Sequence, residues 1–183
     1  MKKTNIILAL FITLLSQAQT PVYTLGYSPI NKPDGCYIKD NNNILEKFVG
    51  TWSLNQNGEF FSITLTKAEM VNLTDYFKDE LHGNFVFTIN NNTIVNTSNF
   101  TGKQSKLRGA MVSRLNPNII TIFFEDPARP KMGCFVTLTH SAFRGGQKLH
   151  WNLYLTGIQP RLPGEPAPLL NFRVPTNCEL IKQ

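Results

Sequence analysis

Phe48-Val49-Gly50-Thr51-Trp52-Ser53-Leu54-Asn55-Gln56-Asn57-Gly58-Glu59-Phe60-Phe61-Ser62-Ile63-Thr64-Leu65-Thr66 decides the fold class. Successive side chains of a strand point to opposite faces, so an apolar residue at every second position marks a strand with one covered face. Phe48, Trp52 and Leu54 share one face of the first half, and Phe61, Ile63 and Leu65 share one face of the second, with Ser62, Thr64 and Thr66 opposite. Between them Asn55-Gln56-Asn57-Gly58 supplies residue types that accept positive φ, which a tight turn requires. The stretch reads as a β-hairpin.

The same pattern recurs outward from it. Phe85, Phe87 and Ile89 alternate with Val86 and Thr88, and Asn90-Asn91-Asn92 turns the chain into residues 93–97, a second hairpin. Residues 118–125 are rich in Ile and Phe on both faces, which predicts a strand covered on both sides, and Asp126-Pro127-Ala128-Arg129-Pro130 ends it. Residues 134–140 and 149–156 flank Gly145-Gly146 as a third hairpin, with Leu149, Trp151, Leu153 and Leu155 on one face. Pro160, Pro163, Pro166 and Pro168 make residues 157–168 a long stiff loop before closing segments at 170–174 and 177–181. One helix competes: Leu73, Tyr76, Phe77 and Leu81 recur at near-helical spacing after a cap at Asn72 or Thr74, enough for one or two turns. The sum is an all-β domain of eight to ten short antiparallel strands with at most one short helix, closed as a single barrel or packed as a sandwich.

Composition agrees with a packed core and supplies an address. The 183 residues are 42% hydrophobic, 11% aromatic and 16% charged, too apolar for a disordered chain. Met1-Lys2-Lys3, the apolar run over residues 6–15 and Ser16-Gln17-Ala18 form a secretory signal peptide over residues 1–18, cleaved after Ala18. Its removal leaves 165 residues and lowers the formal charge from +6 to +4. The apolar run is about half of the roughly 20 residues that a membrane-spanning helix needs. Gln19 and Thr20 stand where a lipoprotein carries its lipidated cysteine. We therefore expect an exported protein, periplasmic or extracellular, with no integral membrane segment in its mature chain. Pro21, Gly26, Pro29, Pro33 and Gly35 make residues 19–44 an irregular lead, followed by the β domain over residues 45–183.

No pattern of residues carries a reaction. Among three histidines, His82, His140 and His150, none stands with a glycine-flanked serine, and His150 points away from Leu149 and Trp151 towards solvent. No close pair of Cys or His suits zinc, and Asp40-Asn41-Asn42-Asn43 has one carboxylate where a calcium loop needs several. A carboxylate hydrolase is the least favoured reading; Glu59, Glu125 and Asp126 sit at strand edges, and Asp126 before Pro127 reads as a turn residue. The cluster Lys103, Lys106, Arg108 and Arg114 reads as a solvated strand face, and no nucleic-acid motif accompanies it. The expectation is a non-enzymatic protein with no catalytic residue, no metal, no cofactor and no nucleic-acid partner.

Three cysteines permit at most one intramolecular disulfide. Cys134 alternates with Val136 and Leu138 as a buried strand residue, and Cys36 and Cys178, nearer the two ends, are the better-placed pair. The alternative is three unpaired thiols.

Gly50-Thr51-Trp52 resembles the Gly-Xaa-Trp signature of the lipocalin and calycin barrels. That resemblance implies that the glycine eases entry into the first strand and that Trp52 closes one end of a barrel beneath a cation, Lys182 or Arg173. More widely, Cys36-Tyr37-Ile38-Lys39-Asp40, residues 45–52, the Asp126-Pro127 turn, Leu149-His150-Trp151-Asn152-Leu153 and Phe172-Arg173-Val174-Pro175-Thr176 are similar, in this order, to a family of small exported flavobacterial proteins of unknown function. The family implies an exported β-rich domain and brings no activity. The leading expectation is therefore a protein that binds a small apolar ligand, lined by Trp52, Phe61, Phe123 and Trp151, or an envelope or extracellular macromolecule. The alternative is a surface interaction protein acting through loops 100–108 and 157–169.

Overall fold

The structure is a computed structural model that describes residues 20–26 and 32–183. The expected leader, residues 1–18, lies outside the described residues. Eleven strands follow in chain order: β1 (Val22–Thr24), β2 (Tyr37–Lys39), β3 (Gly50–Gln56), β4 (Glu59–Asn72), β5 (Phe77–Ile89), β6 (Asn92–Asn96), β7 (Leu107–Val112), β8 (Ile119–Phe124), β9 (Met132–Phe143), β10 (Gly146–Ile158) and β11 (Asn177–Lys182). Short 3-10 turns cover Leu45–Phe48 and Gly102–Gln104. Strands β3, β4, β5, β7, β8, β9, β10 and β11 are joined in that order, each antiparallel to the next. Pairing of β11 with β3, Ile181 opposite Ser53 and Lys182 opposite Trp52, closes an eight-stranded barrel. A closed sheet has no unpaired edge, and this decides barrel over sandwich.

The turns follow from their residues. Asn57 and Gly58 alone join β3 to β4, with φ of 53° and 79°, and Asn90 and Asn91 alone join β5 to β6, with φ of 48° and 64°. Both are two-residue turns with both central residues at positive φ, whose twist matches that of the flanking strands. Inside, Trp52, Phe61, Ile63, Leu65, Leu81, Phe85, Ile120, Ile122, Val136, Leu138, Leu149, Trp151 and Leu180 are buried and share one core.

Four expectations are corrected. No helix forms over residues 73–81: Leu73 to Tyr76 make a tight connection in which the Leu73 N–H bonds the Tyr76 carbonyl at 2.9 Å, and Phe77 opens β5. A spacing of four places Phe77 and Leu81 on one face of a strand as well as of a helix, so the period did not discriminate. The lead is not wholly irregular, because β1 pairs in parallel with β2 and β2 in parallel with β5. β8 is covered on one face only: Ile120, Ile122 and Phe124 point inward and Phe123 stands 49% exposed outside. Of the two closing segments only β11 is a strand.

Candidate functional site

Trp52 occupies one end of the barrel, fully buried, and its indole N–H donates to the Phe48 carbonyl of the preceding 3-10 turn at 2.9 Å. Lys182, rather than Arg173, supplies the cation: its Nζ lies 5.2 Å from the indole centroid. The reason lies in Gly50, which has φ +123° and no side chain to obstruct the lysine stem; a Cβ there would stand 3.2 Å from Lys182 Cε. The His140 ring meets the indole edge-on at 6.1 Å.

The barrel interior is filled at the predicted ligand position. Phe61 and Trp151 are fully buried with ring centroids 5.0 Å apart, and Phe87, Phe124 and Phe85 continue the cluster, the last two stacked at 4.8 Å. Trp151 Nε1 donates to the Pro175 carbonyl at 2.8 Å, and Phe172 and Val174 pack against this core. Arg173, instead of reaching an indole, forms a bidentate pair with Asp126, Nε to Oδ2 at 2.8 Å, and donates to the Ile94 carbonyl. The expected lining set is therefore not brought together around a space: Trp52, Phe61 and Trp151 are packing residues, and Phe123 lies outside the wall, against Phe135 and in line with Tyr154.

Open space lies instead at the seam where the N-terminal strands meet the barrel. One edge of β5 is shared in turn by β2 at Phe77 and Lys78, by β7 from Leu81 to Gly83, and by β6 from Val86 to Ile89. Where β2 gives way to β7 a cleft of about 250 Å³ opens. Its apolar lining is Leu25, Ile38, Ala110, Met111, Val112 and Tyr76, and its cations are Lys32, Lys78 and Arg114. The Lys78 ammonium sits 3.7 Å from Glu80, whose other oxygen is 3.9 Å from His82 Nε2. Burial pushes the Lys78 pKa down, with Glu80 acting in the opposite direction.

A buried polar latch holds this seam together. Asp79 points to the barrel side of β5 and accepts the Tyr37 hydroxyl at 2.5 Å, the Asp40 N–H at 2.8 Å and the Met70 N–H at 3.1 Å. Met70 has φ +53° within a register shift of β4, so Asp79 satisfies a donor that the ladder releases. Asp40 in turn accepts the Ile44 and Leu45 N–H groups at 2.8 and 2.9 Å and lies 3.6 Å from Lys67. Burial, then the bond to Asp79, raises the Tyr37 pKa, keeping the phenol protonated. By accepting the Ile44 and Leu45 N–H groups, Asp40 starts the 3-10 turn that delivers Phe48 to Trp52. Sequence reasoning missed Asp79, Lys32 and Lys78; the signal available for two of them was the charged run Lys78-Asp79-Glu80 in the strand that carries Leu81, Phe85 and Phe87 into the core.

Other candidates are dispersed. His150 pairs with Glu179 at 2.9 Å on the exposed outer face, beside Lys148. Lys106 bonds Glu125 at 2.5 Å, and Arg108 reaches the same carboxylate at 3.4 Å, so the basic cluster divides and Arg114 alone faces the cleft. No group of three or more His, Cys, Asp or Glu residues suited to a metal occurs among the described residues. All three cysteines are free, the second of the two arrangements open to them, and β5, β4 and β3 separate β2, next to Cys36, from β11, which carries Cys178. Burial pushes the Cys178 thiol up to about 12.

No curated protein and no solved structure matches this chain. A family model described as a family of unknown function covers it from residue 1 to residue 183, and the chain therefore belongs to that family, DUF6705.

Proposed function

We propose that this is an exported, non-enzymatic β-barrel protein that binds a small ligand in the seam cleft between β1, β2, β5 and β7 rather than in the barrel interior. One observation carries the reading: the cleft joins buried apolar walls, Leu25, Ile38 and Ala110, to converging polar side chains, the combination that small-molecule sites use. The basic start and short apolar run of residues 1–15 support export. Gly50, Trp52 and Lys182 support a calycin-like barrel. The non-enzymatic reading draws support from Glu125 and Asp126, which are engaged by Lys106, Arg108 and Arg173, and from the solvated position of the His150–Glu179 pair.

The test is titration with the small neutral dye N-phenyl-1-naphthylamine, comparing the mature protein with a Val112→Trp variant that fills the cleft from the end of β7. A saturable one-to-one fluorescence rise that Val112→Trp abolishes is expected; a rise that the variant leaves intact refutes the cleft as the site. N-terminal sequencing of exported protein is expected to begin at Gln19.

A macromolecular partner is the second reading, favoured by the outer-face aromatic row of exposed Phe123, half-buried Phe135 and exposed Tyr154, which stand in register across β8, β9 and β10. Here a partner captured equally well by wild type and Phe123→Ser would count against the row as its contact.

A further inference from the structure

We infer that the seam cleft selects a small amphiphile with an anionic head group, bound head-first against Lys78 and Arg114 with its apolar tail on Leu25, Ile38 and Ala110. This rests on the cleft being the ligand site and adds the chemical class of what enters it.

The charge pattern is the first reason. Three cationic side chains line the cleft and no carboxylate does. Glu80 opposes only Lys78, and it divides its oxygens between Lys78 and His82. Lys32 lies with its ammonium 4.2 Å over the Tyr76 ring, which orients the charge without neutralising it. Arg114 makes no ion pair among the described residues and is exposed. The wall thus carries a local excess of about two positive charges around a half-open space, where an incoming anion meets charge-assisted donors beside an apolar surface.

Lys78 is the second reason. Its side chain is only 14% exposed, and a lysine so covered loses hydration that a single carboxylate 3.7 Å away replaces only in part. A ligand carboxylate or phosphate would complete its coordination. The guanidinium of Arg114, at the outer rim, presents a planar fork suited to the same head group.

Shape is the third reason. The lining runs from cations to the buried Leu25, Ile38 and Ala110, each at most 4% exposed, so one side of the space is apolar. The cleft has a volume near 250 Å³. It falls below the range of about 300–1,000 Å³ that holds drug-sized ligands. A space of this size suits a small head group with a short apolar tail.

The experiment is isothermal titration of the mature full-length chain at neutral pH and low salt with three probes: sodium octanoate, 1-octanol and inorganic phosphate. Octanoate is expected to bind one-to-one, with 1-octanol and phosphate each more than fivefold weaker. Arg114→Gln, a solvent-exposed change, is expected to weaken octanoate at least fivefold and leave 1-octanol unaltered. Because Lys78→Met alone strands Glu80, the paired variant Lys78→Met/Glu80→Gln tests the buried head-group contact, with the same expectation. Octanol within fivefold of octanoate, or octanoate insensitive to both variants, overturns the anionic head while the cleft survives if Val112→Trp still abolishes binding. Phosphate as tight as octanoate overturns the apolar tail. No binding by any probe, or octanoate binding that persists in Val112→Trp, removes the cleft reading and this inference with it.

Discussion

Replacing Trp52 with alanine tests the barrel end directly. Trp52 is fully buried and donates its indole N–H to Phe48 at 2.9 Å. A buried Trp removes about 200–250 Å² from water. At about 25 cal/mol/Å² that is about 5–6 kcal/mol, and a compact unfolded chain reduces it by up to about a third, to nearly 4 kcal/mol. The Phe48 carbonyl left without its donor adds about 1 kcal/mol or more. The lower sum, about 5 kcal/mol, coincides with the top of the measured aromatic-to-alanine range of about 3–5 kcal/mol, so a loss of about 4–5 kcal/mol is expected. Urea unfolding followed by far-ultraviolet dichroism is the assay. With a slope of about 2 kcal/mol/M the midpoint falls by about 2 M. Trp52→Phe separates the two contributions, since it keeps most of the packing and removes the N–H; a smaller loss of about 1–3 kcal/mol is expected. A Trp52→Ala loss below about 1 kcal/mol would refute the reasoning, because no fully buried indole at a barrel end can be removed so cheaply.

Two further perturbations probe the seam and the latch on the closing segment. Asp79→Ala leaves the Tyr37 hydroxyl and the Asp40 and Met70 N–H groups without their acceptor, so a loss of about 3–5 kcal/mol in urea unfolding is expected, against about 1–2 kcal/mol for Tyr37→Phe. Equal losses would show that the tyrosine bond alone holds the lead. For Asp126, burial alone would raise the carboxyl, but hydrogen bonds from Arg173 and the Ala128 N–H outweigh it and hold the pKa below its ordinary value of 3.8. The folded state therefore binds the proton less readily than the unfolded state, so this group's contribution is present above about pH 3.8 and is lost as pH falls through the lower folded value. Acid unfolding midpoints should shift up in Arg173→Met. A midpoint unchanged from wild type would show that the pair does not stabilise the fold.

Much of the architecture was legible in short windows because its causes are short-ranged. The hairpin turns at Asn57-Gly58 and Asn90-Asn91 need positive φ at adjacent residues, and few residue types accept it. Strand alternation is equally local, so Trp52, Phe61, Ile63 and Leu65 were placed on one face correctly. The short run from Leu73 to Leu81 fits a helix and a strand alike, because a four-residue interval satisfies both periods. Phe123, expected among the lining residues, alternates with the buried Ile120, Ile122 and Phe124 and so falls on the opposite, outer face.

The candidate site was far less legible, because it is assembled from distant segments. Lys32, Lys78 and Arg114 meet only because β2 and β7 share the edge of β5. Asp79 reaches Tyr37 and Asp40 for the same reason. From the order of residues alone came most of the barrel strands, the faces of β3, β4 and β10, the two-residue turns and a membership that brings no activity. Closure of the barrel by β11 on β3, the filling of its interior and the gathering of three cations beside an apolar wall came from tertiary pairing. Alternation and turn preference act within a few bonds, whereas the meeting of residues 32, 78 and 114 depends on which strand edges are left to pair once the barrel closes.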